Sequence, residues 1–156
     1  MTYVIEGIDP DPYLHLHDRS DAELAECGIV RVRADAPHSA PCRFSLVDAK
    51  PGESLLLLNH ESRGGHGPYT TRHAIYVREA ATHSARYVDE IPPVMVRRVL
   101  SLRGFDSEGM MVDALIAQPG EADAGLRQMF ENPMVTEIDV HNATRGCFSA
   151  RARRLS

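Results

Sequence analysis

The segment SLLLLNHE, residues 54–61, constrains the fold of this chain more than any other stretch. Its apolar run is nearly continuous but short, which favours a strand buried on both faces over a helix. Because the side chains of a strand alternate between its two faces, His60 lies in phase with Leu56 and Leu58. The segment therefore predicts a central strand with a histidine at its end.

Shorter segments elsewhere alternate apolar and polar residues at the period of two that is typical of strands. The loop SRGGHGPYTT follows the central strand and leads into HAIYVRE, so we expect two neighbouring strands. A helical turn after Pro93 precedes a hairpin whose strands flank the turn DSEG. Besides residues 54–61, the predicted strands are residues 29–34 and 73–79, the segment through Leu100 and Leu102, and residues 109–117, 135–142 and 147–152.

Two further segments carry the end signals and the period of α-helices. Ser20 and Glu23 have the spacing of a capping box, and Gly28 stands where a left-handed residue ends a helix. A second, amphipathic helix is predicted between Pro119 and Pro133. Its apolar residues are Ala122, Leu126, Met129 and Phe130. Few helices among many strands predict an α+β fold, with a largely antiparallel sheet of about seven to nine strands and two helices packed on one face.

The composition is that of one globular domain, residues 1–156, because a chain of this length buries enough surface to fold without disulfides. The net charge of −5 argues against a nucleic-acid partner, since affinity for polyanions comes from Lys and Arg. No secretory signal opens the chain and no apolar run approaches the ~20 residues of a membrane span. We therefore expect a cytoplasmic protein without a membrane partner, and free thiols at its three cysteines.

The clearest candidate site is the segment EIDVHNATRGCFS, residues 137–149. Asp139 and His141 share a strand face, so the carboxylate can orient the imidazole. Cys147 follows a glycine turn, and a thiol beside a histidine is the minimum for nucleophilic catalysis. In this hypothesis His141 is the acid or base, Asn142 an orienting group, and Cys147 the nucleophile or a pocket wall. The alternative is a surface Asp–His pair and a buried, inert thiol.

Metal chemistry is not predicted, although the chain is rich in histidine. Its candidate ligands have neither the i, i+4 helical spacing nor the CxxC spacing of metal sites. Those candidates are His60, His66, His73 and His141. The glycine-rich loop RGGHGPY lacks the Lys and Ser/Thr of a phosphate-binding loop, and we interpret it as a connector. The sequence thus predicts no metal and no cofactor.

Four long motifs resemble those of one bacterial family over nearly the whole chain. They are PCRFSLVDAKPGESLLLLNHE, GPYTTRHAIYVRE, LSLRGFDSEGMMVDA and VHNATRGCFSARA. In these motifs the chain is similar to the family called domain of unknown function 1203. The resemblance implies a compact bacterial domain but no reaction, because the family is defined by lacking one.

The residues that match these motifs are candidates for one shared pocket or for one buried polar network. The catalytic candidates are His141, Asn142 and Cys147. The ligand-binding candidates are Cys42, Arg43, His60, Tyr69, Arg103, Asp106 and Asp113. Arg78 and Glu79 also match, whereas His73 departs from the small residue that we expect in the family.

Two functions follow as hypotheses. The first is a pocket for a small anionic molecule at the strand ends that carry His60, Arg103 and His141, with arginine binding the anion. Whether such a pocket is enzymatic, through a Cys–His pair, stays open. The second is a noncatalytic protein-interaction module in which the polar motif residues form a buried structural network. The sequence predicts no oligomeric state.

Overall fold

The computed structural model describes residues 1–155, in which nine strands form two antiparallel sheets. The strands are β1 (Tyr3–Glu6), β2 (Val30–Arg33), β3 (Ser54–Arg63), β4 (Thr71–Arg78), β5 (Arg86–Val88), β6 (Leu100–Phe105), β7 (Met111–Ala117), β8 (Glu137–Asn142) and β9 (Phe148–Arg154). The helices are α1 (Asp21–Glu26), α2 (Pro93–Val96), α3 (Ala122–Glu131) and a 3₁₀ helix at Asp11–Leu16. The large sheet has the order β5-β1-β9-β8-β6-β7, and the small sheet the order β2-β3-β4.

The predicted α+β class and the antiparallel strands are confirmed, but the strands divide between two sheets. The β3–β4 pair and the β6–β7 hairpin form as predicted. Helix α3 packs on β6 and β7 of the large sheet, whereas α1 packs on β2 of the small one. The two helices therefore cover different sheets, because each sheet has its own apolar face to bury.

The sequence patterns do not predict β1, β5 or the 3₁₀ helix, since each has only three to six residues. Strand β1 is nevertheless central to the large sheet, where it pairs with β5 on one side and β9 on the other. Its residues Tyr3 and Ile5 are fully buried. A short strand of this kind is held by its neighbours and not by its own periodicity.

The local signals of the two predicted helices are present in the structure. Ser20 and Glu23 form the reciprocal capping box at the start of α1, and Gly28 has the positive φ of +72° expected after its end. Helix α3 buries Leu126 and Met129 against the large sheet. In residues 1–155, no helix combines the length and the apolar character that crossing a bilayer requires.

Strand β8 separates two interior layers with different chemistry. Ile138 and Val140 face the apolar core under α3, as the alternation predicts. Asp139 and His141 lie on the opposite face but are only 1% exposed. The interpretation of a surface Asp–His pair is therefore wrong, because the small sheet packs against this polar face: Arg63 of β3 binds Asp139.

Candidate functional site

A cavity of about 720 Å³ lies where the loop before β3 meets the β8–β9 turn and the segment between α2 and β6. Its polar lining includes Arg43, Arg97, Arg98, Asn142, Arg145 and Cys147. His38, Ser39, His73, Tyr76 and Thr144 complete the polar wall. Its volume falls within the roughly 300–1,000 Å³ range of pockets that bind small molecules.

The cavity is positively charged although the whole chain carries a net charge of −5. Four arginines line it, and no lining residue is an aspartate or glutamate. Among residues 1–155, carboxylates neutralise only Arg98 of these four: it donates to both oxygens of Asp48, at 3.2 and 2.7 Å. The arrangement concentrates unpaired positive charge in a concave site, which attracts anions.

Arg43 is the most unusual of these cations, because it is only 1% exposed. Its Nε donates to the carbonyl oxygen of Phe148 at 2.8 Å, and its Nη1 to that of Pro41 at 2.5 Å. Its Nη2 donates to the sulfur of Cys147 at 3.1 Å. None of these partners is a carboxylate. Burial lowers the pKa of the Arg43 guanidinium, and the neighbouring thiol opposes that effect.

The backbone around Arg43 explains how a buried arginine is held there. The Arg43 N–H donates to the carbonyl of Tyr76 on β4, and Cys42 forms a parallel bridge with the same strand. A turn follows, in which the N–H of Leu46 donates to the carbonyl of Cys42. The loop is therefore anchored to the small sheet, and the guanidinium reaches across to β9 of the large sheet.

Cys147 lies at the end of the β8–β9 turn, which returns the chain as predicted. The turn is closed by hydrogen bonds from the Gly146 N–H to the Asn142 carbonyl and from the Asn142 N–H to the Cys147 carbonyl. The side-chain Nδ2 of Asn142 donates to the Cys147 sulfur at 3.5 Å. Its Oδ1 is buried and has no partner among residues 1–155. The sulfur thus lies between two donors, of which Arg43 is charged.

His141 has a different partner from the one that the catalytic hypothesis requires. Its Nδ1 donates to the carbonyl of Gly146 at 2.9 Å, which requires the proton on Nδ1, because a carbonyl only accepts. Burial lowers its pKa to about 4, and the charges of Arg103 and His73 add to this shift. The imidazole is therefore neutral near pH 7 and holds the turn that carries Cys147.

Asp139 does not orient His141 but belongs to an ion-pair cluster between the sheets. It accepts from Arg63 Nε at 3.0 Å and from Arg151 Nε at 2.5 Å. Arg63 also pairs with Glu137 at 2.8 Å. We call Arg63, Glu137, Asp139 and Arg151 the intersheet cluster. Its cations are matched by carboxylates, as buried charges usually are.

Three of the predicted site residues line the cavity: Arg43, Asn142 and Cys147. Cys42 is fully buried behind it, where its sulfur accepts from the Arg78 N–H at 3.2 Å. His60 lies between the sheets and bonds Tyr13 through Nδ1 at 2.7 Å. These two residues therefore contribute to the interior near the cavity without lining it.

Arg103, Asp106 and Asp113 lie on the β6–β7 hairpin and Tyr69 on the loop between β3 and β4, and none of them lines the cavity. Arg103 donates to Ser101 at 3.2 Å, and Tyr69 packs edge-on against Phe105 at 5.6 Å. Asp106 caps its own turn by accepting from two backbone N–H groups at 2.9 Å. Asp113 accepts from the N–H of Ala114 at 2.8 Å. Local structure accounts for the contacts of these side chains.

Sequence reasoning missed the exposed arginines of the cavity, Arg97 and Arg145, and the carboxylate-bound Arg98. A signal was present for Arg145, which stands between Asn142 and Cys147 in the candidate motif. No comparable signal in the sequence marks Arg97 and Arg98, because the segment between α2 and β6 reaches the cavity only through the packing of the two sheets. In residues 1–155, no group of three His, Cys, Asp or Glu side chains is arranged to hold a metal ion.

The chain belongs to the family described as Protein of unknown function (DUF1203), whose model matches residues 39–154. The resemblance inferred from the motifs is thereby confirmed. The matched segment contains Arg43, Asn142 and Cys147 and leaves out His38 at the rim of the cavity. No match was found to a curated protein or to a solved structure.

Proposed function

We propose that this member of a family without an assigned reaction binds a small anionic molecule in the cavity beside Arg43. The observation that carries the proposal is the charge of Arg43: it is buried, and its three hydrogen-bond partners are two carbonyls and a thiol. A buried charge without a counter-ion is costly, and a bound anion removes that cost.

The remaining donors of the cavity support the same ligand class. A guanidinium has five N–H donors, and three of those of Arg43 have partners in residues 1–155, which leaves two for a ligand. Arg97 and Arg145 add exposed positive charge at the rim. Planar, paired donors favour oxyanions such as carboxylate, sulfate or phosphate over halide ions.

An enzymatic role would use Cys147, the thiol in the wall of the cavity. Arg43 would then supply the positive charge beside the sulfur, which the sequence hypothesis assigned to His141. His141 would act as a positioning residue through its bond to Gly146. Asn142 would orient the thiol through Nδ2.

The alternative of a noncatalytic interaction module is favoured by a separate observation. The intersheet cluster and the contacts of Tyr69 with Phe105 and of His60 with Tyr13 give many motif residues structural partners. In that case these polar residues stabilise the fold, and the partner surface lies elsewhere. The alternative does not account for the unpaired charge of Arg43.

The direct test is the binding of sulfate, measured by titration calorimetry at low ionic strength. We expect saturable binding to the native chain, loss of binding in Arg43→Met, and an affinity lowered about fivefold in Arg145→Ala, which removes one exposed charge near the anion. Circular dichroism should first establish that Arg43→Met is folded.

The matched control is Arg33→Ala, because Arg33 is also exposed but lies outside the cavity, where it donates to the carbonyl of Gly52. This variant should bind sulfate as the native chain does. The proposal fails if the native chain does not bind sulfate, or if Arg33→Ala weakens binding as much as Arg145→Ala does.

A further inference from the structure

The sulfur of Cys147 and an anion in the cavity require the same positive charge. We propose that a Cys147 thiolate and a bound anion compete for Arg43, so that the cavity holds either an anion or a reactive thiolate. This inference rests on the proposed function and adds a regulatory consequence to it.

Arg43 cannot serve two anions by moving between them. Two of its nitrogens are tied to the carbonyls of Pro41 and Phe148, which fixes the plane of the guanidinium. The third nitrogen, Nη2, points at the sulfur of Cys147, which is 3.1 Å away. A thiolate accepts such a charge-assisted hydrogen bond more strongly than a thiol does. An anion on the two free N–H groups of the same guanidinium would lie close to that sulfur.

A Cys147 thiolate and an anion on the same guanidinium repel each other strongly when water is excluded, because the protein interior screens charges less than solvent does. Asn142 does not relieve the repulsion, since its side chain is neutral. Its Nδ2 stabilises a thiolate, while its buried Oδ1 has no partner in the described part of the chain. That free acceptor suits a donor group on the ligand.

The other ionisable side chains that face the site include no carboxylate among residues 1–155. They are His73 and Tyr76 on β4, His38 and Cys42 on the loop before β3, Arg97 and Arg98 after α2, and Arg145 on the β8–β9 turn. Asp48, a carboxylate that pairs with residues of the cavity, is bound to Arg98 and His38. No carboxylate lining the cavity can therefore replace the thiolate or the ligand as the counter-ion of Arg43.

The consequence is a linkage between two equilibria. At a pH above the ionisation range of the thiol, binding of an anion is accompanied by the uptake of one proton from water. That proton forms the S–H bond of Cys147. The two effects are reciprocal: the factor by which a bound anion strengthens proton binding to the sulfur is the factor by which loss of that proton weakens anion binding. An anion in the cavity is thus a regulator that silences the thiol, and the partner of a reactive thiolate would be a neutral electrophile.

The first measurement is sulfate affinity at about pH 6 and about pH 9, which bracket the ionisation of cysteine thiols. Sulfate is the probe because its own charge is constant over this interval. In the native chain we expect affinity to fall by about tenfold between the two values, a typical coupling. In Cys147→Ser, whose hydroxyl does not ionise, affinity should change much less.

The outcomes separate the two proposals. An equal fall in both proteins overturns the competition, since another group would then be titrating, while the anion site stands. Equal affinity of the native chain for sulfate at the two pH values also overturns the competition. Absence of sulfate binding in both proteins at about pH 6 overturns the proposed anion site itself.

The reciprocal measurement is alkylation of Cys147 by iodoacetamide, a neutral reagent, in a Cys27→Ser background. Cys42 is fully buried and therefore shielded, and mass spectrometry assigns the adduct. Saturating sulfate should move the midpoint of the rate–pH curve upward and leave the rate at high pH unchanged, with chloride at equal ionic strength as the control. A lower rate at every pH with an unmoved midpoint would mean simple blockage and would contradict the proposal.

Discussion

The intersheet cluster and the cavity both hold arginine away from solvent, partly in the cluster and fully at Arg43, but the partners of that charge differ. In the cluster, Arg63 and Arg151 share the carboxylate of Asp139, and Glu137 pairs with Arg63. In the cavity, Arg43 meets only carbonyls and a thiol. Both sites lie on the polar side of the large sheet, and the least exposed of these arginines, Arg43, is the one that has no carboxylate partner among residues 1–155.

The difference separates a structural network from a candidate binding site. A satisfied network leaves no charge for a ligand, and its members depend on each other for stability. An unmatched buried cation costs stability, and a bound anion would remove that cost. The hypotheses of a shared pocket and of a buried network therefore remain predictions that concern different sets of the motif residues.

The largest effect should follow from Asp139→Ala, which removes the carboxylate shared by two arginines. We expect the free energy of unfolding to fall by about 3–5 kcal/mol, because two cations are left without their main partner. Urea denaturation followed by circular dichroism measures it. If the intersheet cluster is structural, sulfate binding to the folded variant should remain.

The control for that variant is Asp21→Ala, which also removes a carboxylate from an arginine, Arg31. The Asp21 side chain is 81% exposed, and exposed ion pairs contribute little to stability. We expect a far smaller change than in Asp139→Ala. Similar losses of unfolding free energy in Asp139→Ala and Asp21→Ala would contradict the conclusion that the intersheet cluster matters more for stability than the exposed ion pair.

A second, intermediate effect is the pH dependence of stability that His141 confers. His141 stands in the chain between Asp139 of the intersheet cluster and Asn142 of the cavity. Its pKa is about 4 when folded, because the ring is buried, and about 6.5 in the unfolded chain. The unfolded state therefore binds the proton more readily, and stability falls as the pH decreases from about 6.5 toward about 4. His141 should account for a loss on the order of 2 kcal/mol between about pH 7 and about pH 4.5.

His141→Gln isolates this contribution, because the amide can still donate to Gly146 but does not titrate in this range. Urea denaturation at the two pH values should show a smaller loss in the variant than in the native chain. Other groups, including several carboxylates, titrate equally in both proteins and cancel in the difference. Equal losses would mean that His141 is not held neutral by its burial.

The smallest effect should come from Asp48→Asn, which gives the cavity one more unpaired cation. The asparagine keeps the size of the side chain but removes the charge that neutralises Arg98. Sulfate affinity should rise by about threefold, the contribution of one additional partly exposed charge. A fall in affinity would show instead that Asp48 must hold Arg98 in place for the anion to bind.

Much of the secondary structure could be predicted because its signals are local. The capping box of Ser20 and Glu23 and the apolar stripe of α3 involve residues within two or three turns of each other. The return of β9 beside β8 could be predicted from the glycine turn between them. The division into two sheets could not, because the period of a strand does not specify its partners.

The candidate site was predictable only where its residues are close in the chain. Asn142 and Cys147 share one turn, so the motif indicated that they lie together. The burial of Asp139 was not predictable, since alternation identifies a polar face but not what covers it. The partner of the thiol was expected to be His141, the histidine of the same motif, and Arg43 occupies that position in the structure.

By itself, the sequence determined the α+β class, the family and the segment that contains the thiol, because periodicity, end signals and motifs are properties of neighbouring residues. Only the tertiary structure decided which charge meets that thiol. Arg43 and Cys147 are 104 positions apart and meet because the loop before β3 packs against the end of β9. Contacts between such distant residues depend on how the two sheets pack, and no spacing within a motif records that.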